Sequence, residues 1–163
     1  TFIAQPVKNV RSNYDIGMAM QYRGQMDVSA HLAMMDACKM WEEIGRDKIE
    51  EYVCSLSSYL KKSLGQKYGG AGTFFAPDIP EFSTGLTSFN PFANIQDGNK
   101  IKTLVARLEN ETGYQVRYTD FHLHAGDAEP TYALRISTHI FHNRPQVDGL
   151  VDALYDLSLE IEG

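Results

Sequence analysis

The chain is short of cysteine and of basic charge, and it has no long apolar run; each shortage removes a class of protein. Its two cysteines, Cys38 and Cys54, fall inside helical patterns without metal-type spacing. No structural disulfide is therefore expected, and both thiols should be reduced and buried or half-buried. Lys and Arg number 15 against 21 Asp and Glu, a net charge of -6. A duplex-binding surface needs the opposite surplus to neutralise phosphates, so nucleic acid is not an expected partner. The apolar stretches are too short and interrupted to span a bilayer, and the opening Thr-Phe-Ile-Ala-Gln-Pro-Val-Lys has no signal-peptide core. No membrane partner is expected, and the expected location is cytoplasmic.

What remains is 163 residues with 43 % hydrophobic content, enough for one domain or for one domain and a piece of another. The chain opens without Met in a loop-like stretch, which is expected of a portion of something longer. Residues 1 to 26 show no sustained period. Their most distinctive piece is Gln21-Tyr22-Arg23-Gly24-Gln25-Met26-Asp27, where a glycine before a helix start lets backbone amides approach an anion. Asp27 is placed to cap a helix whose stripe is Leu32, Ala33, Ala37, Met40, Trp41 and Ile44, closed by Gly45. Met34, Met35 and Met40 read as gap-filling core. Asp47 and Glu50 form an acidic variant of a capping box for a second helix, with Ile49, Tyr52, Val53, Leu56, Leu60 and Leu64 on one stripe.

The run from Gly65 to Gly72 reads as a turn; it lacks the Gly-Lys-Ser/Thr ending of a phosphate-cradling loop. Two short β-like pieces follow, Thr73 to Ala76 and Ser83 to Phe89. Asp97 opens a helix through Ile101, Leu104, Val105 and Leu108 that ends at Gly113. Tyr114, Val116 and Tyr118 alternate with Gln115, Arg117 and Thr119 in a half-buried strand. After the loop 120–130, Tyr132, Leu134 and Ile136 alternate with Ala133, Arg135 and Ser137 in another. Pro145 occupies a first helical position, and Val147, Leu150, Val151, Leu154 and Leu157 form the last apolar stripe. The acidic positions of that helix read as its solvated face. This order predicts an α+β fold, with a small antiparallel or mixed sheet covered on one face by helices.

Arg135 is the residue with the most specific chemistry. Its planar fork matches a carboxylate bidentately, and a sheet strand aims it rigidly. Exposure alone also accounts for an arginine on the open face of a two-layer sheet. His122, His124, His139 and His142 suggest metal ligands, but their spacing is loose, and hydrogen-bonded surface histidines are the expectation, with no metal site.

The string Leu-Arg-Ile-Ser-Thr-His-Ile-Phe-His-Asn at 134–143, followed by Val147-Asp148-Gly149-Leu150-Val151-Asp152-Ala153-Leu154, resembles the C-terminal signature of class V pyridoxal-phosphate enzymes. These are aminotransferases, epimerases and lyases of the isopenicillin-N-epimerase and cysteine-desulfurase type. The resemblance implies that residues 1–45 are the tail of a large cofactor-binding domain and 46–163 the small C-terminal domain of a fold-type-I enzyme. It makes Arg135 the clamp for the substrate's α-carboxylate. From their own place beside the Arg135 strand, His122 or His124 is the histidine expected to line the substrate entrance. Gly24 and Gln25 stand where the family's Arg-Gly-Thr-x-Asp type segment reaches the cofactor phosphate of a neighbouring subunit, with Gln25 replacing the threonine. A homodimer using pyridoxal 5'-phosphate is implied.

No lysine of this sequence matches the family's Schiff-base segment, so the chain by itself is expected to bind no cofactor and catalyse nothing. The 120–130 loop lacks the nucleophilic cysteine of desulfurases, which leaves transamination, epimerisation or elimination at the α-carbon of an amino acid. The competing expectation is a stand-alone α+β module for ligand binding, regulation or dimerisation.

Overall fold

The computed structural model describes residues 28–76, 79 and 82–163. The chain separates into two units, Thr1–Gly45 and Arg46–Gly163.

The described part of the first unit is helix α1 (Val28–Ile44), none of whose residues is buried. Met34, Met35 and Met40 are exposed and so is Cys38, which corrects the expectation of core methionines and a sheltered thiol. A single helix cannot enclose its own apolar stripe; burial needs a second surface. Gly45 ends α1 with φ 96° and donates its amide to the Trp41 carbonyl, the αL closure that a Cβ would disfavour.

The second unit contains helix α2 (Arg46–Tyr68), strands β1 (Thr73–Phe74) and β2 (Leu86–Asn90), helix α3 (Gly98–Thr112), strands β3 (Arg117–Phe121) and β4 (Thr131–Ser137), and helix α4 (Arg144–Glu162). The sheet order is β1-β2-β4-β3, and every pairing is antiparallel. The architecture is α+β, a small antiparallel sheet whose one face is packed by α2, α3 and α4. Phe89, Leu134 and Ile136 supply the sheet side of the core; Leu56, Leu60 and Leu64 come from α2, Ile101, Leu104 and Leu108 from α3, and Val147, Leu150, Val151, Leu154 and Leu157 from α4. Spacings of three, four and seven residues put each helical set on one stripe.

Both ends of α3 behave as their residue types demand. Asp97 Oδ1 accepts from the amides of Asn99 and Lys100, each at 3.1 Å, and Gly113 adopts φ 77° while donating to the Glu109 carbonyl. At α4 the cap is Asn143, one residue earlier than a start at Pro145 implies. Asn143 and Gln146 exchange side chain for backbone amide, each at 3.0 Å, in a reciprocal capping box.

The run 65–72 is not one turn. Helix α2 continues through Gly65 to Tyr68, and the chain reverses only at Gly69 and Gly70, whose φ values are 58° and 87°. The reason is tertiary. The Tyr68 ring meets those of Phe89 and Tyr155 edge-on at 5.1 and 5.2 Å, and its hydroxyl pairs with Ser158 at 3.1 Å, which outweighs the helix penalty of a single glycine. Burial there pushes the Tyr68 phenol up to about 12.

Exposed ion pairs brace the helices from outside. Arg107 forks between Glu111, one turn along α3, and Glu160 of α4, with 2.6 Å to each. Lys67 of α2 reaches Asp152 of α4 at 2.7 Å. Among the described residues no helix is long and apolar enough to cross a membrane.

Candidate functional site

Strand β4 is central, paired with β2 on one side and β3 on the other, so its backbone is fixed along both edges. Its alternation sends Leu134 and Ile136 into the helical layer and Arg135 and Ser137 out to the open face, where both are exposed. The register then decides Arg135's neighbours. Ser88 of β2 and Arg117 of β3 lie directly opposite it, making one row Ser88, Arg135, Arg117 across three strands. With strands about 4.8 Å apart, that row is roughly 10 Å wide.

The rest of the open face is more covered than a bare sheet. Phe75, just after β1, and Phe121, at the end of β3, approach from opposite edges until their rings meet edge-on at 5.2 Å. Ala133 and Asn90, which face the same way, are fully buried. The Asn90 amide is saturated, since its Nδ2 donates to the Tyr132 carbonyl and its Oδ1 accepts from the Phe92 amide, both at 2.8 Å. The open face thus has an aromatic, closed half and an arginine-bearing, accessible half.

Arg135 and Arg117 are both exposed, and neither has an ion pair with any described carboxylate. The face-sharing positions on β2, β3 and β4 are Leu86, Ser88, Asn90, Arg117, Thr119, Phe121, Thr131, Ala133, Arg135 and Ser137, without a single acid. The nearest strand acid, Asp120, is opposite Tyr132 and so points to the other side. In a chain of net charge -6, this is a local excess of positive charge fitted to an anion.

Two clefts flank this row. One of about 330 Å³ opens between the entry to β3 and the exit from β4, lined by Tyr114, Gln115, Val116, Ser137, Thr138 and His142 over a floor that includes Leu60 and Leu150. The other, about 370 Å³, lies at the opposite edge against Lys61, Lys62, Phe74 and Ser88. Arg135 lines neither; its sequence neighbours Ile136 and Ser137 line the first, and Ser88, opposite it, lines the second. In the first cleft burial, and then the nearby His139, holds the His142 imidazole below its usual value. Its Nδ1 accepts the His139 amide at 3.0 Å, which requires that nitrogen to be unprotonated.

His122 and His124 are not brought to Arg135. They follow Phe121, which is opposite Thr131, four residues and about 13 Å along β4 from the arginine. Both are exposed in the loop, where the His124 amide donates to Asp127 Oδ2 at 2.8 Å. His139 and His142 sit past the other end of β4, so the four histidines divide between the two ends of the sheet. Among the described residues no three His, Cys, Asp or Glu side chains gather as a metal site needs. Gly24 and Gln25 lie outside the described residues. Arg117 is the residue that strand periodicity alone could not single out. It is readable as an outward-facing position, but its place opposite Arg135 depends on how the 122–130 loop sets the hairpin register.

No known protein-family model matches the chain, and no curated protein matches it either.

Proposed function

We propose that this chain is the C-terminal part of a pyridoxal-phosphate-dependent, class V aminotransferase-like enzyme acting at the α-carbon of an amino acid. Arg135 takes the substrate's α-carboxylate. The observation that carries the reading is an exposed guanidinium on a strand paired along both edges, with no described carboxylate in ion-pair range. It adds to the resemblance of residues 134–154 to the family's signature. Gly24 and Gln25 are the proposed contacts to the cofactor phosphate across a homodimer interface, in a cytoplasmic enzyme.

Pyridoxal phosphate would supply an electron sink for the α-carbon, and holding it would need a lysine amine sheltered enough to shed its proton. The described lysines do not fit that role. None is buried. Lys39, Lys67 and Lys100 are engaged by Asp36, Asp152 and Glu162, and the hydrogen bond to Asp152 holds the Lys67 ammonium above its usual value. Arg135 is therefore assigned the holding of substrate and no described residue a step of the reaction, and the chain by itself is expected to be inactive.

The test is Arg135→Ala in the full-length protein. Losing a charge-assisted bidentate contact should lower kcat/KM for amino acids about 10- to 100-fold, chiefly through KM, with cofactor absorbance unchanged. Wild-type kinetics in that variant would end the assignment.

A second reading has one observation in its favour. The unit Arg46–Gly163 encloses its own core, as a stand-alone ligand-binding or dimerisation module would. Under that reading the chain melts in one sharp transition as a monodisperse dimer and leaves the absorbance of added pyridoxal phosphate unaltered.

A further inference from the structure

The register of β3 against β4 sets Arg117 directly opposite Arg135. Side chains opposite one another in an antiparallel pair have Cβ atoms about 5 Å apart on the same face, and like charges there repel. Natural sheets usually answer such a charge with an acid on the next strand. Here the position on the other side of Arg135 is Ser88, and the flanking row offers Leu86 and Ser137. The acids near β3 in sequence are used or averted: Glu109 accepts from Gln115 at 2.9 Å, and Asp120 faces the helical side. Two arginines are thus set side by side on the open face, both exposed and unanswered among the described residues, next to the hydroxyl-bearing positions Ser88 and Ser137.

We infer that Arg117 is the specificity-determining partner of Arg135, and that the pair accepts a small molecule carrying two acid groups, one to each fork. This rests on the reading of Arg135 as the α-carboxylate clamp and names the substrate class, an amino acid whose side chain also ends in an acid group. A carboxylate is matched bidentately by one guanidinium, so two forks accommodate two carboxylates, and the repulsion built into the empty row is relieved when both are occupied. A neutral amino acid fills one fork and leaves the second cation unanswered.

Equilibrium binding of glutarate, butyrate and inorganic phosphate to the full-length protein, by calorimetry, tests this without depending on turnover. Glutarate should bind at least about 10-fold more tightly than butyrate, the scale of one added charge-assisted contact. Arg117→Ala should remove that advantage and leave butyrate within about twofold, while Arg117→Lys, which keeps the charge but not the fork, should restore only part of it. Arg135→Ala should weaken both acids. Equal binding of glutarate and butyrate, or an Arg117→Ala variant that weakens neither or both alike, overturns the two-acid site while leaving Arg135 in place. Phosphate displacing glutarate in an Arg117-dependent way overturns it in favour of one anion shared by both arginines. Arg135→Ala with unchanged binding of both acids instead defeats the underlying reading of the clamp. Because Arg117 is exposed on an edge strand, circular dichroism of each variant should match the wild type; an altered spectrum for both Arg117 variants would assign the residue to folding and end the inference.

Discussion

Asn90 offers the sharpest test of how this sheet is held together. Its side chain is fully buried at the end of β2, and it spends both halves of its amide on backbone groups of other segments, the Tyr132 carbonyl of β4 and the Phe92 amide of the following turn. Asn90→Ala removes both partners without removing the groups they satisfied. Leaving a buried donor or acceptor unpaired costs about 1–3 kcal/mol each, so the substitution should cost about 2–6 kcal/mol. Against a domain stability of about 5–15 kcal/mol that is a large fraction. Urea unfolding followed by circular dichroism measures it as a lower midpoint at unchanged slope. Asn90→Asp separates the two bonds: the acid keeps an acceptor for Phe92, but only its protonated form can donate to the Tyr132 carbonyl. Burial and that bond both favour the neutral acid in the folded state, raising its folded pKa above the unfolded value of about 3.9. Its best stability should then lie below that unfolded value and be lost as pH rises through the folded one. A loss under about 0.5 kcal/mol for Asn90→Ala, within the ordinary spread of surface substitutions, would refute the reasoning. So would an Asn90→Asp variant whose deficit does not change with pH.

Three further outcomes are expected. Gly98→Ala should destabilise by about 1–3 kcal/mol despite alanine's better helix propensity, because the added Cβ would lie within 2.8 Å of Tyr132 ring carbons; a rise in the urea midpoint would show that the ring yields freely. His142 titrates with its folded value held below 6.5 by burial and by His139, so the unfolded chain takes up the proton first and stability should fall as pH drops below 6.5 and be intact above it. His142→Asn, which keeps an acceptor for the His139 amide, should flatten that part of a urea-midpoint profile, and an unchanged profile would exclude His142 as the source. Arg117→Thr relieves the repulsion with Arg135 and should leave stability unchanged or higher by a few tenths of a kcal/mol, the gain shrinking as salt is added; a loss above about 1 kcal/mol would mean that Arg117 has a structural partner.

The proposed function stands on the guanidinium of Arg135, which is exposed and has no ion pair among the described residues. Loss of Arg117 tests which acids bind, and loss of Arg135 tests whether an acid binds at all.

Periodicity and local chemistry by themselves determined much of this protein: the outward position of Arg135 and the inward one of Leu134 and Ile136, the stripes of α2, α3 and α4, and the Asp97 and Gly113 caps of α3. Each depends on bonds or alternations within a few residues, where the chain's own geometry leaves little choice. The persistence of α2 through Gly65 to Tyr68, the start of β3 at Arg117 rather than Tyr114, and the exposure of Met34, Met35 and Met40 were decided by what each segment packs against. So was the row that joins Ser88, Arg135 and Arg117 and leaves His122 and His124 at the far end. Register is a relation between strands separated by loops, and burial a relation between surfaces; neither is a property of a segment, so only the assembled sheet could set two arginines face to face.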